Sequence, residues 1–331
     1  MAAHKAALVT VGLVLPTLIL LLCVAVFQDT FLFLPRSSVD RAPRSITPTA
    51  QPATSPEAER AAWYQTWKRS MPRHYVEPDR GEIAPYVDFV TPLVYCAIPK
   101  NACTQYKGLL FRIKGDMRYL SAAHVHSLGS ERGKPMNITR VTELDDEEGA
   151  EFLRGAGVER FAIVRNPVVR VLSGFMDKSG LFPCSREEFR AWVRRTFVDD
   201  MENKCGVQVN QHWKSQLCFC GFRVAAPGEV FRIFHYENVD EVVRYLDGVI
   251  EDKKVLSTGW GRQRDVSFLE SFSSSQRVKG HTTQAATKVA EWFDLETFDY
   301  LVNVLRPEID SLGYQGEIAE IRQHLASEQT P

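Results

Sequence analysis

Two short segments carry side chains whose types and order suit a ligand with anionic groups at both ends: Pro99-Lys100-Asn101-Ala102-Cys103-Thr104, and Arg165-Asn166-Pro167 with Ser173 further on. Lys100 is a flexible full charge and Thr104 a hydroxyl donor, while Arg165 offers a planar fork of donors. If a helix starts at the end of the first segment, its unpaired amides and its dipole also favour an anion there. The plain alternatives are a surface lysine after a strand, an arginine paired with an acidic neighbour, and a serine that merely allows close packing. The chain contains no GxxxxGK[ST], which argues against an ordinary nucleoside triphosphatase loop. A proton acceptor would be supplied most readily by histidine, whose ordinary pKa of about 6.5 leaves it largely neutral near pH 7. His124, His126, His212, His235 and His281 are available, and each is equally readable as a structural histidine. Lys279, in Lys279-Gly280-His281-Thr282-Thr283, is a further cation that could close over an anion or lie in a solvated turn.

The elements that must position these groups can be read from the flanking patterns. The apolar, β-rich run 89–98 predicts a buried strand that delivers Lys100, and Tyr106, Leu109, Leu110 and Ile113 mark one face of a helix behind it. A second unit repeats the plan, with a strand at 161–164 ending at Arg165 and a helix marked by Val168, Val171, Leu172 and Phe175. A third strand is expected at 230–234. Strand, loop and helix twice over predict an α/β fold with an open, mostly parallel sheet flanked by helices. In such sheets ligands bind at the carboxyl ends of the strands, where two loops can face one nucleotide. An amphipathic helix begins near residue 57, with Trp63 and Trp67 packing on the domain.

The chain of 331 residues has room for one sizeable domain, and 40 Lys+Arg against 41 Asp+Glu leave a net charge of -1. No overall field draws it to nucleic acid, so anion binding must be local. Residues 6–27 hold no charged side chain and are long enough to cross a hydrocarbon core of about 30 Å, which predicts a transmembrane signal anchor after a short tail at 1–5. A cleaved signal peptide ending near Cys23-Val24-Ala25 is the competing reading. Residues 28–60, rich in Pro, Ser, Thr and Ala, read as a stalk, leaving 61–331 as the catalytic domain on the lumenal side. Outside the apolar segment stand Cys96, Cys103, Cys184, Cys205, Cys218 and Cys220, and the clustering of the last four predicts one or two disulfides with pairing left open. Zinc is disfavoured because Cys218 and Cys220 are separated by one residue only. Asn137-Ile138-Thr139 is a sequon for N-glycosylation.

The segments YCAIPKNACTQYKGLL and RFAIVRNPVVRVLSGFMDK resemble the 5′-phosphosulfate and 3′-phosphate motifs of the membrane-anchored Golgi carbohydrate sulfotransferases, in particular the chondroitin 4-O and HNK-1 group. NQHWKSQLCFCGF, FRIFHYENVDEVVRYL and the stretch ending in Gly313-Tyr314 are similar to later pieces of the same group, so the likeness runs over about residues 89–314. It implies a sulfotransferase-type fold with a P-loop-like phosphosulfate-binding loop and the donor PAPS (3′-phosphoadenosine-5′-phosphosulfate), with no metal required. Pro99 to Thr104 would hold the 5′-phosphosulfate with Lys100 at the bond that breaks. Arg165 and Ser173 would hold the 3′-phosphate, with Lys279 near it or the adenine. His126 or His124 would match loosely the catalytic histidine of some glycan 2-O-sulfotransferases, and His212 is the alternative base. The implied setting is a single-pass type II Golgi membrane protein, monomeric or homodimeric, with a glycan or other hydroxyl-bearing acceptor. Asn101 stands where valine is usual, Gln105-Tyr106 replaces Asn-Trp, and Asn166 replaces Glu or Asp. A nucleotide-dependent kinase and a non-enzymatic, disulfide-braced binding domain are the rival readings.

Overall fold

The computed structural model describes residues 55–70, 84–121, 125, 139–178, 185–197, 205, 210–261, 264–272 and 284–329. The chain divides into units 1–53 and 54–331, and every described residue lies in the second. Its centre is a five-stranded sheet of order β3-β1-β2-β4-β5, built from β1 (Tyr86–Asp88), β2 (Leu93–Cys96), β3 (Thr139–Arg140), β4 (Glu159–Val164) and β5 (Arg232–His235).

β2, β4 and β5 run parallel, whereas β1 is antiparallel to β2 and β3 to β1. The sheet is therefore mixed, which corrects the expectation of a mostly parallel one. The cause lies within the run 89–98, where a turn precedes β2. The Val90 amide donates to Asp88 Oδ1 at 3.1 Å, and a connection this short can only join antiparallel neighbours. Parallel pairing needs a crossover, and α2 (Cys103–Ile113) lies in the connection from β2 to β4.

Burial alternates along the central strands. Val94, Cys96, Ile98, Ala162 and Val164 enter one core with helix residues Val168, Val171, Leu172, Phe298 and Leu301. Leu93, Tyr95, Ala97, Phe161, Ile163 and Phe234 enter the other with Leu109, Leu110, Val242 and Leu246. The sheet is thus apolar on both faces, as strands with helices on either side must be. α1 (Pro56–Ser70), α3 (Asp146–Arg154), α4 (Pro167–Lys178) and α5 (Arg186–Thr196) contribute to the first core. α6 (Val239–Val249) joins α2 on the second face. The C-terminal region is a chain of helices, α7 (Leu295–Val304), α8 (Arg306–Leu312) and α9 (Gln315–Gln329). Pro307 and the left-handed Gly313 (φ 76°) account for two of these breaks.

α1 begins inside the segment read as stalk and docks through Tyr64, whose hydroxyl donates to the Val141 carbonyl at 2.8 Å, and Trp67, whose indole donates to the Cys220 carbonyl at 3.0 Å. No helix among the described residues is long and apolar enough to cross a membrane. The expected N-terminal transmembrane helix, and with it the signal anchor, the Golgi single-pass placement and the membrane as a partner, therefore has no counterpart among the described residues. The segment 6–27 on which they rested lies outside the described residues. The sequon asparagine, Asn137, also lies outside them.

Candidate functional site

The two loops singled out by residue type meet at the carboxyl ends of β2 and β4. After Ile98 the backbone turns through two left-handed residues, Lys100 (φ 72°) and Ala102 (φ 58°), a conformation that costs a non-glycine residue about 1–2 kcal/mol. Three bonds hold that turn. Arg170 Nε donates to the Pro99 carbonyl at 2.9 Å, Arg165 Nη1 donates to the Lys100 carbonyl at 2.9 Å, and Asn101 Nδ2 donates to the Ile163 carbonyl at 2.8 Å. α2 starts directly after Ala102 with no side chain capping its N-terminus. Cys103 and Thr104, its first residues, are half-buried, and Cys103 is a free thiol.

Lys100 Nζ lies 3.4 Å from Asp177 Oδ2, and both side chains are nearly covered, at 10% and 13% exposure. Burial pushes the Lys100 amine below its ordinary range and Arg165 adds to the effect, so Asp177 and Cys103 only partly compensate. For Asp177 burial works in the opposite sense, but the charges of Lys100 and Lys178 outweigh it and hold the carboxyl below its ordinary value. Both shifts reflect one largely covered ion pair between this loop and α4.

Arg165 is buried against the ring of Tyr236, its guanidinium carbon 4.6 Å from the ring centroid. Its peptide is gripped by Gln216, which accepts from the Arg165 amide at 3.0 Å and donates to its carbonyl at 2.7 Å. Gln216 also accepts from Asn101 Nδ2 at 2.6 Å and donates to Glu308 Oε1 at 2.7 Å. One buried amide therefore joins the first loop, the second loop and α8. Asn166 caps α4 by accepting from the amides of Val168 and Val169, and its own amide donates to Glu237 Oε1 at 3.2 Å. Glu237 in turn accepts from the Tyr314 hydroxyl at 2.9 Å.

On α4, Arg170, Ser173, Gly174 and Asp177 follow at helical spacing and so share one face. That face meets the first loop through Arg170 and Asp177 and the segment 210–216 through Arg170, which also donates to the carbonyls of Gln211 and Lys214. Complete burial pushes the Arg170 guanidinium down to about 10, against the opposing pull of Glu308. A Cβ on Gly174 would come within 2.7 Å of the His212 carbonyl, so the absence of a side chain there lets the segment lie flat on the helix.

The structure thus brings together Pro99, Lys100, Asn101, Ala102, Cys103, Thr104 and Arg165, with Ser173 buried on the adjoining helix face. Asn101, unusual against the expected valine, is the tie between the loops. His212 is half-buried on the segment over α4, its Nδ1 2.8 Å from Asn210 Oδ1. His235 binds the Leu312 carbonyl through Nε2 at 3.0 Å and stacks on Tyr314, the arrangement of a structural histidine. His124, His126, Lys279 and His281 lie outside the described residues.

Residue-type reasoning passed over Asp177, Arg170 and Glu308. For the first two the signal was present in the spacing Arg170, Ser173, Asp177, one helix face. Glu308 comes from a distant helix and left no such trace. Disulfides join Cys96 to Cys220 and Cys205 to Cys218, so the cysteine cluster is tied to β2 and not only to itself. Cys184 lies outside the described residues. Among the described residues no group of three or more His, Cys, Asp or Glu side chains is arranged to hold a metal ion.

Comparison with known families gives one match, to a family model described as Sulfotransferase family, over residues 86–315. No curated protein and no solved structure matches the chain. The match is to the family at large, which corrects the narrower expectation of the membrane-anchored Golgi carbohydrate group: neither the chondroitin 4-O nor the HNK-1 type is selected, and a homodimer has no support in the match or the fold.

Proposed function

The chain belongs to the sulfotransferase family, and on that premise we propose that it moves a sulfuryl group from PAPS to an acceptor hydroxyl, with Lys100 serving the 5′-phosphosulfate and Arg165 and Ser173 the 3′-phosphate. The observation that carries this reading is the hydrogen bond from the Arg165 guanidinium to the Lys100 carbonyl, which sets the two strand-exit loops side by side. The Lys100 amine, the buried Arg165 guanidinium and an uncapped helix N-terminus belong to the two adjoining loops, and a nucleotide with phosphates on both sides of its ribose would complement them.

Sulfuryl transfer needs in-line approach of the acceptor oxygen and charge stabilisation on the departing phosphate oxygen. Lys100 is the residue whose tip can follow that charge, because its backbone is fixed by Arg165 while its side chain, among the described residues, ends in one ion pair, with Asp177. Arg165, packed on Tyr236 and held by Gln216, is rigid and suits binding more than chemistry. Arg170 makes its bonds to the carbonyls of Pro99, Gln211 and Lys214 and acts by shaping the loop. The acceptor is a hydroxyl compound, with carbohydrate hydroxyls the first class to try.

The test is transfer of radiolabelled sulfate from PAPS to a panel of glycans and small alcohols, with parent and Lys100→Ala. Loss of one preorganised donor of this kind lowers turnover by about 10²-fold or more. A Lys100→Ala protein that transfers at the parent rate would show the donor-site assignment to be wrong.

A further inference from the structure

We propose that Asp177 is the proton acceptor for the incoming hydroxyl, freed for that task when Lys100 turns from it to the donor. The inference rests on the donor-site reading above and adds to it the acceptor side of the same site.

Position supports it first. By that reading the amine of Lys100 marks the sulfuryl end of the donor, and Asp177 is the carboxylate beside that amine, at 3.4 Å. The opposite end is marked by Arg165 and Tyr236 at the start of α4. Asp177 lies in the last turn of the same helix, one turn beyond Ser173 and about 15 Å along the axis from Pro167 at 1.5 Å per residue. Its ion-pair partner in the donor site is Lys100 and neither of the 3′-phosphate residues Arg165 and Ser173, which puts the carboxylate at the reactive end.

Electrostatics supports it second. The charges acting on Asp177 among the described residues are Lys100 from the loop and Lys178 from its own helix. While Lys100 is paired with it, the carboxylate is a poor base. Once the amine is drawn to the phosphosulfate, the largest of the attractions that hold the carboxylate charged weakens, and burial, which already favours the neutral form, raises its proton affinity. Donor binding would so prepare the base at the moment it is needed. In the step itself the acceptor oxygen forms a bond to sulfur, the bond from sulfur to the bridging phosphate oxygen breaks, that oxygen keeps the electron pair beside Lys100, and the acceptor proton passes to Asp177.

Among the described histidines, His235 is the less suited, since its Nε2 holds a backbone carbonyl.

Three proteins decide the matter: the parent, Asp177→Asn and Asp177→Glu. Calorimetric binding of adenosine 3′,5′-bisphosphate reports on the donor site and on folding, and release of that compound from PAPS, with a mixture of glycans and small alcohols as acceptors, reports on chemistry. Asp177→Asn is expected to bind the bisphosphate as tightly as the parent or several-fold tighter, since it loses a carboxylate that competes for Lys100. Its release rate is expected to fall by about 10²-fold or more, the usual contribution of a positioned base. The acid limb of its pH profile should vanish, and Asp177→Glu should restore part of the rate and that limb. An Asp177→Asn protein with the parent's rate and profile overturns the inference, as does one whose rate falls only in step with its affinity for the bisphosphate. No binding to the parent would remove the donor-site reading itself, and the inference with it.

Discussion

Lys214 shows what a single buried residue can cost. Its side chain is 0% exposed, its Nζ has no hydrogen-bond partner, and burial alone pushes its amine below the ordinary lysine range. A base with a depressed folded-state pKa binds fewer protons folded than unfolded, so its penalty is complete below the folded pKa and fades as pH rises toward the unfolded value of about 10.4. Lys214→Met should therefore raise stability by about 1–3 kcal/mol near pH 7, with the gap from the parent closing at alkaline pH. Chemical denaturation at two pH values measures both. At this scale the sequence was readable for residues whose type announces an anion, Lys100 and Arg165 above all. It was silent on Lys214, because a lysine after a tryptophan is ordinary until its burial and neighbours are known, and for Asp177 it held only the helical spacing from Arg170 and Ser173.

Among the elements, the segment 210–220 decides whether the two loops act as one. Gln216 is fully buried and its side chain makes four hydrogen bonds, so Gln216→Ala would leave donors and acceptors of Asn101, Arg165 and Glu308 unpaired. A loss of about 2–4 kcal/mol is expected from denaturant midpoints, together with weaker binding of adenosine 3′,5′-bisphosphate. Asn101→Val, which restores the residue more usual in related motifs, should weaken that binding less than Gln216→Ala does, because it removes two ties and leaves Gln216 its hold on Arg165 and Glu308. Calorimetry of both variants ranks them. The apolar run at Phe161 to Val164 placed the second part of β4, and the helical spacing of Val168 to Phe175 placed the body of α4, while Glu159, Arg160 and the last turn of α4 carried no such mark. The same reasoning joined β1's turn and β2 into one strand at 89–98, because Phe89 and Val90 are apolar yet exposed and periodicity does not see exposure. The mixed sheet follows from that turn and was hidden with it.

For the molecule as a whole, the Cys96–Cys220 disulfide spans 124 positions and ties the strand that carries Lys100 to the segment that clamps Arg165. A loop of this size is worth at most about 5 kcal/mol by chain entropy, against about 3 kcal/mol for the 13-position Cys205–Cys218 bridge. Removing the first pair by Cys96→Ala with Cys220→Ala should thus lower the melting temperature more than removing the second. Differential scanning calorimetry of the two double variants compares them. That cysteines would pair was legible from their number. That Cys96 would take Cys220 was not, since their meeting depends on the packing of β2 against a segment more than a hundred residues later.

α1 lies over that bridge. Trp67 holds the Cys220 carbonyl, and next to it Gly221, at φ 77°, has no room for a Cβ beneath the indole. A chain trimmed to start after residue 70 would strip this lid from the sulfurs, and a mild thiol reagent that leaves the full chain intact should then open them. The first helix would in that sense act as a guard on the oxidation state of the catalytic domain.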